Sequence, residues 1–248
     1  MQSVKLEPEE QHGRYSCTSF AAGTSSLAER SLILASADTE VSDEDDGGGF
    51  RRLLDIVASL ILIAVLAPVL LMLVILIIVT DPGPPVFAHR RIGRQGKSFR
   101  CFKFRSMCVD ADARLDRLLA NDPVLKLEWQ NGHKLACDPR VSPIGQLLRV
   151  TSLDELPQLF NVLTGSMTLV GPRPIVAAEL KNYGRYAAHY LRVRPGLTGL
   201  WQVSGRSSTT YRRRVAADVL YVRSRSFALD CRILLATIPA VVTGKGSC

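Results

Sequence analysis

The sequence predicts an α/β protein, mostly helical, that is held to a membrane by one apolar segment. Residues 56–79 contain no charged side chain, and basic residues outnumber acidic ones after residue 50. The other apolar residues recur mainly at helical spacing, with one alternating stretch that is typical of a strand. An ordinary soluble domain is disfavoured, because the uncharged run concentrates much of the hydrophobic content, which is 47% of the chain.

The charges are segregated along the chain. Of its 248 residues, 31 are Lys or Arg and 23 are Asp or Glu, which gives a formal charge of +8. Residues 1–50 hold ten of the acids and three of the bases, so the remainder carries 28 bases against 13 acids. A surface this cationic favours an anionic partner, which can be a lipid headgroup, a nucleic acid or a phosphorylated small molecule.

Residues 1–50 predict a disordered acidic tail. They are rich in Ser, Ala, Gly, Glu and Asp and end in the run Asp43–Gly49. Such a composition buries too little apolar surface to offset the entropy lost on ordering the chain. A solvated, dispensable extension is the simpler interpretation, and an interaction segment is the alternative.

The six cysteines form no Cys-x-x-Cys pair. This disfavours a structural zinc site, and nothing in the spacing resembles a disulfide framework. The sequence therefore favours reduced thiols in a cytosolic compartment.

The uncharged run Ile56–Val79 is expected in a bilayer. As a helix its 24 residues would reach about 36 Å, against a hydrocarbon core of about 30 Å. Pro68 lies near the middle and predicts a kink or break. Because basic residues flank both ends and favour the cytoplasmic side, two topologies remain open. One is a re-entrant hairpin that dips into one leaflet, and the other is a kinked single-pass anchor.

The residues after the membrane run predict one strand and several helices. Alternating apolar and basic residues predict a strand over Phe99–Met107. Residues 121–143 are rich in turn-forming residues, and we interpret them as mostly loop. Apolar periodicity predicts helices at Val109–Ala120, Leu153–Leu163, Ile175–Tyr190, Tyr211–Arg225 and Leu229–Val242. The last of these is apolar enough to lie on the membrane or to pack under the anchor.

An acidic pair stands at the predicted helix start near residue 153. Ser152 and Glu155 have the spacing of a capping box, and Pro157 fits the first turn. A helix start alone would account for these residues. The same geometry places Asp154 where the positive end of a helix keeps a carboxylate ionised. Beside arginines, such a carboxylate can act as a nucleophile toward phosphorus or as a magnesium ligand.

Several arginines lie just before this helix or in segments that Pro and Gly make rigid. Each one alone would be interpreted as half of a surface ion pair. Together, in a region with few acids, they favour bidentate binding of phosphate or pyrophosphate. They are Arg149, Arg173, Arg194 and Arg206. The cluster Tyr211–Arg214 is instead predicted to contact lipid headgroups.

Three further residues have two interpretations each. Asp218 is either a metal ligand or the ion-pair partner of Arg214, one turn earlier on the same helix. Trp201, followed by Gln202, offers a flat face for a base or a sugar, or else belongs to the core.

The glycine-rich loops of ATPases and dehydrogenases do not occur in the sequence, so neither activity is supported.

Four segments together are specific for one family. They are Lys103–Met107, Thr151–Leu163, Val170–Pro174 and Arg194–Arg206. From about Arg51 to the end, the chain resembles the bacterial sugar transferase family, whose members are monotopic phosphoglycosyl transferases. The resemblance implies a re-entrant membrane helix at residues 51–82, broken at Pro68. A small cytosolic catalytic domain with amphipathic interfacial helices would follow at residues 83–248, and the acidic tail lies outside the resemblance.

The resemblance also implies an activity. A hexose 1-phosphate, with galactose or glucose favoured, would pass from a UDP-sugar to undecaprenyl phosphate with release of UMP. This would be the first step of exopolysaccharide biosynthesis, at the cytoplasmic face of the bacterial inner membrane. By family likeness Asp154 would attack the sugar-bearing phosphorus and form a covalent aspartyl-phosphosugar. Glu155 would complete the acidic dyad.

Ligands and partners follow from the same resemblance. Mg²⁺ is the expected cofactor, held by Asp154 with Asp218 as a second ligand. The residues expected to contact phosphates or substrate are Arg149, Arg173, Arg194, Arg206, Trp201 and Gln202. Membrane lipids are expected partners, nucleic acid is not, and a homodimer is compatible with the resemblance. The alternative is a non-catalytic basic module on a single-pass anchor that binds anionic lipid or nucleic acid.

Overall fold

The apolar run forms helix α1 (Gly48–Thr80) in the computed structural model of the protein. The structure describes residues 48–132, 135, 138–204 and 210–242. The predicted acidic tail lies outside these residues, apart from its last three, which already belong to α1. Within the described part of the chain, α1 is the one helix that is long and apolar enough to cross a bilayer.

Pro68 lies inside α1 and does not end it. The predicted division into two separate helices is therefore not what the structure has. Proline removes a single hydrogen-bond donor, whereas a full break would leave several backbone groups unpaired, which is costly in an apolar environment. Any change of direction at Pro68 is a kink within a continuous helix.

The first turns of α1 are fastened to the rest of the protein by buried polar contacts. The Arg52 guanidinium donates to the carbonyl oxygens of Val162 (2.5 Å) and Leu163 (2.7 Å). The Asp55 carboxylate accepts from Thr168 Oγ1 (2.7 Å) and from the backbone amide of the next residue (3.0 Å). Two charged side chains in an apolar helix thus find partners in the same domain, as burial requires.

The last turns of α1 are seated by apolar packing. Leu73 and Ile77 are almost fully buried against Phe104, Ile144 and Leu148. The middle of the helix is largely exposed between the two seats. Both ends of α1 therefore contact the same domain, while much of its apolar centre is exposed.

A hairpin follows α1. Strands β1 (Val86–Ile92) and β2 (Ser98–Phe104) are antiparallel, and β2 confirms the strand predicted from alternation. The partner strand β1 was not predicted. His89 pairs with Cys101, so the even spacing of strand side chains places Arg91 and Lys103 on one face of the hairpin.

Residues 121–143 are not mostly loop, and that prediction was wrong. Helix α2 (Ala111–Asn121) confirms the helix predicted there, but α3 (Pro123–Gly132) and the start of α4 (Pro143–Val150) fall in the supposed loop. Asp122 caps α3 by accepting from the amides of its second and third residues (2.8 and 3.2 Å). Pro123 was counted among the turn-forming residues of this stretch, whereas here it follows the capping Asp122 and begins a helix.

The helix predicted from Leu153 to Leu163 is divided in two. A 3₁₀ turn at Leu153–Glu155 precedes α5 (Gln158–Thr164). Pro157 cannot donate to the Leu153 carbonyl, which accepts instead from the amide of Leu156 (3.2 Å). The predicted capping box is absent, because Ser152 has a φ of 57° and its side chain makes no capping bond. Pro157 is the N-cap of α5 rather than part of its first turn.

The later elements surround a second, two-stranded sheet. Strands β3 (Thr168–Val170) and β4 (Gly196–Thr198) are parallel. The helix predicted at residues 175–190 is a 3₁₀ segment followed by a short α-helix, whereas the two last predicted helices are confirmed. The remaining bounds are the 3₁₀ helix Ala177–Tyr186, α6 (Ala187–Arg192), α7 (Leu200–Val203), α8 (Tyr211–Ser224) and α9 (Phe227–Val242).

The main apolar core lies between α5, β3, α8 and α9. Its most buried members are Leu159, Val162, Met167, Tyr221 and Ile233. Helix α9 packs one side on this core, and its first turn pairs Asp230 with Arg51 of α1 (3.5 Å). Its other side is exposed, including Leu235 at 68%. Helix α9 thus packs beside the start of α1 and also keeps an apolar outer face.

Gly196 is expected to be essential for packing. A Cβ on Gly196 would overlap the amide nitrogen of Gly171, because the first residue of β4 lies close against the backbone that follows β3. Gly196→Ala should lower the free energy of unfolding by about 1–3 kcal/mol, because the backbones must move apart. Gly49→Ala is the control, since nothing lies within 4 Å of its added Cβ. Equal melting temperatures of the two variants in detergent would contradict the close crossing.

Candidate active site

The acidic pair lies on the 3₁₀ turn between α4 and α5, next to strand β2. Lys103 Nζ contacts both acids, at 2.6 Å from Glu155 Oε1 and 3.4 Å from Asp154 Oδ2. The Asp154 side chain is only 13% exposed, and the Lys103 side chain is 26% exposed. One partly buried ammonium group therefore serves two neighbouring carboxylates.

The two carboxylates are electrostatically unequal. Burial and the charge of Glu155 raise the pKa of Asp154, against the opposing pull of Lys103 and Arg149. Burial also acts to raise the pKa of Glu155, but attraction by Lys103 and Arg173 outweighs it, so that pKa is lowered. Burial acts to lower the pKa of Lys103, but the two acids outweigh it and the pKa is raised. The pKa of Glu155 is thus lowered and that of Asp154 is raised from their ordinary values, although Lys103 favours the charged form of both.

The predicted setting of Asp154 needs a correction. Asp154 lies in the first turn of a 3₁₀ helix rather than of an α-helix, and its pKa is raised rather than lowered. The main charge that opposes this rise is Lys103, whose contact with Asp154 spans 51 positions of the sequence. The helix-end argument relied on local sequence alone and so missed this partner.

Arg149 approaches the acidic pair from α4. It was predicted to precede a helix, but it lies in the last turn of one. Its Nε donates to Ser106 Oγ (3.0 Å), and its charge lowers the pKa of Asp154. The contact depends on Gly145, because a Cβ there would overlap the carbonyl oxygen of Ser106.

Arg173 approaches from the loop after β3. Its charge acts on the pKa of both Glu155 and Asp218. Its guanidinium carbon lies 5.5 Å from the centre of the Trp201 ring, and that of Arg214 lies 4.5 Å from the same ring. Trp201 is 5% exposed. Guanidinium groups contact its ring, so stacking of a base or sugar on it stays a prediction.

Asp218 is buried on α8 and is 3% exposed. Its Oδ2 accepts from the hydroxyl of Tyr183 (2.7 Å). Burial raises the pKa of Asp218 to about 7, although Tyr183, Arg173 and Arg214 all act to lower it. The predicted choice between a metal ligand and an ion pair with Arg214 therefore omitted its direct partner, Tyr183.

The remaining predicted residues are only partly placed. Arg194 precedes β4, and its backbone carbonyl packs against Gly171, close to the loop that carries Arg173. Gln202 donates from Nε2 to the carbonyl of Leu197 (3.0 Å), which holds α7 on β4. Arg206 lies outside the described residues, so its predicted phosphate contact stays a prediction.

Comparison with known proteins identifies the family. Residues 48–244 match the family model described as bacterial sugar transferase. The chain belongs to this family. The resemblance that the four sequence segments carry is thereby confirmed.

Three relatives of this sugar transferase are informative. It is 50% identical over 167 residues to undecaprenyl-phosphate galactose phosphotransferase of Salmonella typhimurium, covering 67% of this chain and 35% of the relative. It is 48% identical over 168 residues to exopolysaccharide production protein ExoY of Sinorhizobium fredii, covering 68% of this chain and 74% of the relative. A UDP-glucose:undecaprenyl-phosphate glucose-1-phosphate transferase of Escherichia coli is 38% identical over 168 residues, 64% of this chain and 33% of the relative. The chain spans about a third of the length of the first and third.

The sugar transferase offers few ligands for a metal ion. Among the described residues, no three His, Cys, Asp or Glu side chains come together. Asp154 and Glu155 supply two adjacent carboxylates. Magnesium in proteins is commonly held by one or two carboxylates together with substrate phosphates. The acidic pair therefore fits a magnesium ion that binds with a diphosphate.

Lys103 is the site residue that sequence reasoning did not single out. It occurs in a segment that carries the family resemblance, but no local pattern links it to residues 154 and 155. The alternation in β2 was the available signal, because it placed Lys103 on one defined face of a strand.

Removing the Lys103 ammonium should destabilise the folded protein. Lys103→Met leaves two partly buried carboxylates without their shared counter-charge, which should lower the free energy of unfolding by about 2 kcal/mol and Tm by roughly 4–8 °C. This is less than for a fully buried pair, because 26% of the side chain is exposed. The measurement is thermal unfolding in detergent.

A double variant tests the cause. Adding Glu155→Gln to Lys103→Met should recover part of the loss, because one uncompensated charge is removed. Lys97→Met, at an exposed position of the hairpin loop, is the matched control and should leave Tm unchanged. Strictly additive losses would show that Lys103 and Glu155 do not interact.

Proposed function

We propose that this protein transfers a hexose 1-phosphate, with galactose or glucose favoured, from a UDP-sugar to undecaprenyl phosphate and releases UMP. The contact of Lys103 with Asp154 and Glu155 carries the proposal, because it holds an ionised carboxylate among cations beside a membrane helix. The names of the relatives support the acceptor, and one relative is named for exopolysaccharide production. The reaction would be the first step of exopolysaccharide assembly.

Asp154 is the proposed nucleophile. Its carboxylate oxygen attacks the phosphorus that bears the sugar, and the bond from that phosphorus to the bridging oxygen breaks. UMP leaves with the bridging oxygen and its electron pair, and an aspartyl-phosphosugar remains. A phosphate oxygen of the acceptor then attacks the same phosphorus, which releases the Asp154 carboxylate and forms undecaprenyl diphosphate-linked sugar.

The surrounding charges make this attack feasible. A carboxylate approaching a diphosphate meets repulsion that cations must offset. Lys103, Arg149 and Arg173 act electrostatically on the acidic pair. Their side chains are already positioned by β2, α4 and the β3 loop, so little reorganisation is needed as charge develops on the transferred group. Glu155, whose pKa is lowered by Lys103 and Arg173, would orient Lys103 and the incoming acceptor.

Magnesium is proposed as the cofactor, with Asp154 and Glu155 as the residues that would hold it. When bound, the ion would withdraw charge from the diphosphate oxygens and make the phosphorus more electrophilic. The fit rests on the two adjacent carboxylates of the described site.

The seating of α1 supports a re-entrant path in the membrane. The polar seat at Asp55 and the apolar seat at Leu73 are about 27 Å apart along a straight helix, close to the thickness of the hydrocarbon core. A domain that touches both seats of a spanning helix would have to enter the bilayer, where its polar surface is poorly solvated. A kink at Pro68 would bring both seats to one interface instead.

This placement suits a reaction between two phases. The UDP-sugar is soluble, whereas the acceptor phosphate lies at the lipid surface. Helix α1 would hold the site at the lipid surface on the cytoplasmic face of the inner membrane. The soluble donor and the lipid-bound acceptor could then meet at one place.

Loss of the nucleophile should abolish transfer. Asp154→Asn should reduce UMP release from a UDP-sugar, with undecaprenyl phosphate and magnesium present, by at least about 10³-fold, because an amide cannot form the acyl phosphate. In the wild type, radiolabel from the sugar should stay on the polypeptide when acceptor is withheld. Asp116→Asn, at an exposed position of α2, is the control and should retain both signals.

Two outcomes decide between the transferase and the non-catalytic basic module on a membrane anchor. Undiminished turnover in Asp154→Asn would remove the mechanism. No UMP release by the wild type from any member of a UDP-sugar panel would favour a basic module that binds anionic lipid or nucleic acid. The same panel identifies the sugar.

Topology can be tested separately. Cysteines placed at Ser42 and Ser98, in a background with the native cysteines replaced by alanine, should react with a membrane-impermeant maleimide from the same side. Labelling from opposite sides would require a single-pass helix. A cysteine at Val65, in the exposed centre of α1, is the control and should stay protected by lipid.

A further inference from the structure

Trp201 joins two arginines that come from distant parts of the chain. Arg173 lies on the loop after β3, and Arg214 lies on α8. Their guanidinium carbons are 5.5 and 4.5 Å from the centre of the Trp201 ring. Cation–aromatic contacts of this kind gain strength when they are desolvated, and Trp201 is almost fully buried. The orientation of Arg173 therefore depends on Trp201.

Asp218 lies next to this stack. It is one turn after Arg214 on α8, so the two side chains share a helix face. The Tyr183 hydroxyl donates to Asp218 Oδ2 (2.7 Å), while Asp218 Oδ1 is buried and accepts no hydrogen bond. Arg214 Nε is also buried and without a hydrogen-bond partner. The carboxylate thus has an unused oxygen in the electrostatic field of Arg173 and Arg214.

These surroundings do not fit a magnesium ligand. Magnesium in proteins is surrounded by carboxylates, carbonyls, water and phosphate oxygens. The groups that act on Asp218 are a tyrosine hydroxyl and two guanidinium groups. A divalent cation here would meet two fixed positive charges, and the described residues hold no group of three metal-ligating side chains. The predicted metal role of Asp218 is therefore disfavoured.

We propose that Asp218 is a positioning residue that acts through Arg214 and Trp201 on Arg173. Arg173, Trp201 and Arg214 form an arginine–tryptophan stack, which holds the Arg173 guanidinium toward the acidic pair, and Asp218 acts on it from the same helix face as Arg214. In that position Arg173 binds the diphosphate of the donor. This inference rests on the proposed function, because it assigns a task to Arg173 in the same site.

The connection to the acidic pair is direct in electrostatic terms. Arg173 lowers the pKa of Glu155 on one side and acts on Asp218 on the other. Its loop is rigid, since the Pro172 carbonyl accepts from the amide of Gly196 (2.8 Å). Because the backbone of this loop is held, the stack determines only the direction of the Arg173 side chain.

The protein contains a matched control for this arrangement. Tyr221 donates to Asp230 Oδ1 (2.8 Å), which is a second, partly buried tyrosine–aspartate pair. Asp230 pairs with Arg51 of α1 (3.5 Å) rather than with the stack. Asp218→Asn and Asp230→Asn therefore remove the same kind of charge, but only the first affects the stack.

Trp201 provides a binding signal that does not require turnover. The chain has two tryptophans, and Trp129→Phe leaves Trp201 as the sole emitter. Trp129 lies on α3 against Arg140, away from the stack. In this background, Trp201 emission is titrated with UDP, with and without magnesium.

Asp218→Asn should raise the apparent Kd for UDP about tenfold under both conditions, whereas Asp230→Asn should change it less than twofold. Tyr183→Phe should weaken binding by a smaller factor than Asp218→Asn, and Tyr221→Phe should not. In turnover assays, Asp218→Asn should raise KM for the UDP-sugar more than it lowers kcat. The apparent magnesium requirement should stay as in the wild type.

Several results would overturn the proposal. Weakening that occurs only with magnesium and is reversed by more magnesium would make Asp218 a metal ligand. A lowered Tm with unchanged Kd and KM would make its role purely structural. An absence of UDP binding by the wild type would contradict the contact of Arg173 with the donor diphosphate. If UDP binding responds to these variants as expected but the protein turns over no UDP-sugar, the proposed function is rejected. The role of the stack in UDP binding then still stands.

Discussion

One ammonium group shared by two adjacent carboxylates is the interaction around which the site is organised. Lys103 belongs to a strand, and Asp154 and Glu155 belong to a 3₁₀ turn, so the contact fastens the hairpin to the α4–α5 connection. Two neighbouring acids that are partly removed from water repel each other, and burial disfavours their charged forms. A single cation at this point opposes both effects. The pKa of Glu155 is lowered as a result, whereas burial and the charge of Glu155 keep the pKa of Asp154 raised.

Charged side chains are also paired where α1 meets the rest of the domain. Arg52 donates to carbonyl oxygens of α5, and Asp55 accepts from a side chain and an amide of β3. Helix α5 follows the acidic turn, and β3 leads to the Arg173 loop. Because a buried charge without a partner is costly, these contacts specify one seating of α1. The position of α1 is thereby linked to the position of the site.

Much of the local structure could be predicted from the sequence. The long apolar helix, strand β2 and helices α2, α8 and α9 each follow from hydrophobic spacing within one segment. Prediction failed at two prolines, whose effect on the bounds of the helices is not visible in the hydrophobic spacing. Asp122 caps α3 in a stretch interpreted as loop, and Pro157 divides a helix that periodicity predicted as continuous. Pro68, in contrast, does not end α1.

The sequence by itself determined that this protein has a long apolar helix, a basic domain and an acidic pair within a family-specific segment. These features depend on composition and on neighbours along the chain, so they can be recognised without coordinates. Only the tertiary structure decided that Lys103 is the counter-charge of that pair, that Trp201 is buried between guanidinium groups and that Asp218 accepts from Tyr183. The physical reason is that such partners are separated by tens of residues, and packing of several elements, rather than any local preference, brings them within hydrogen-bonding distance.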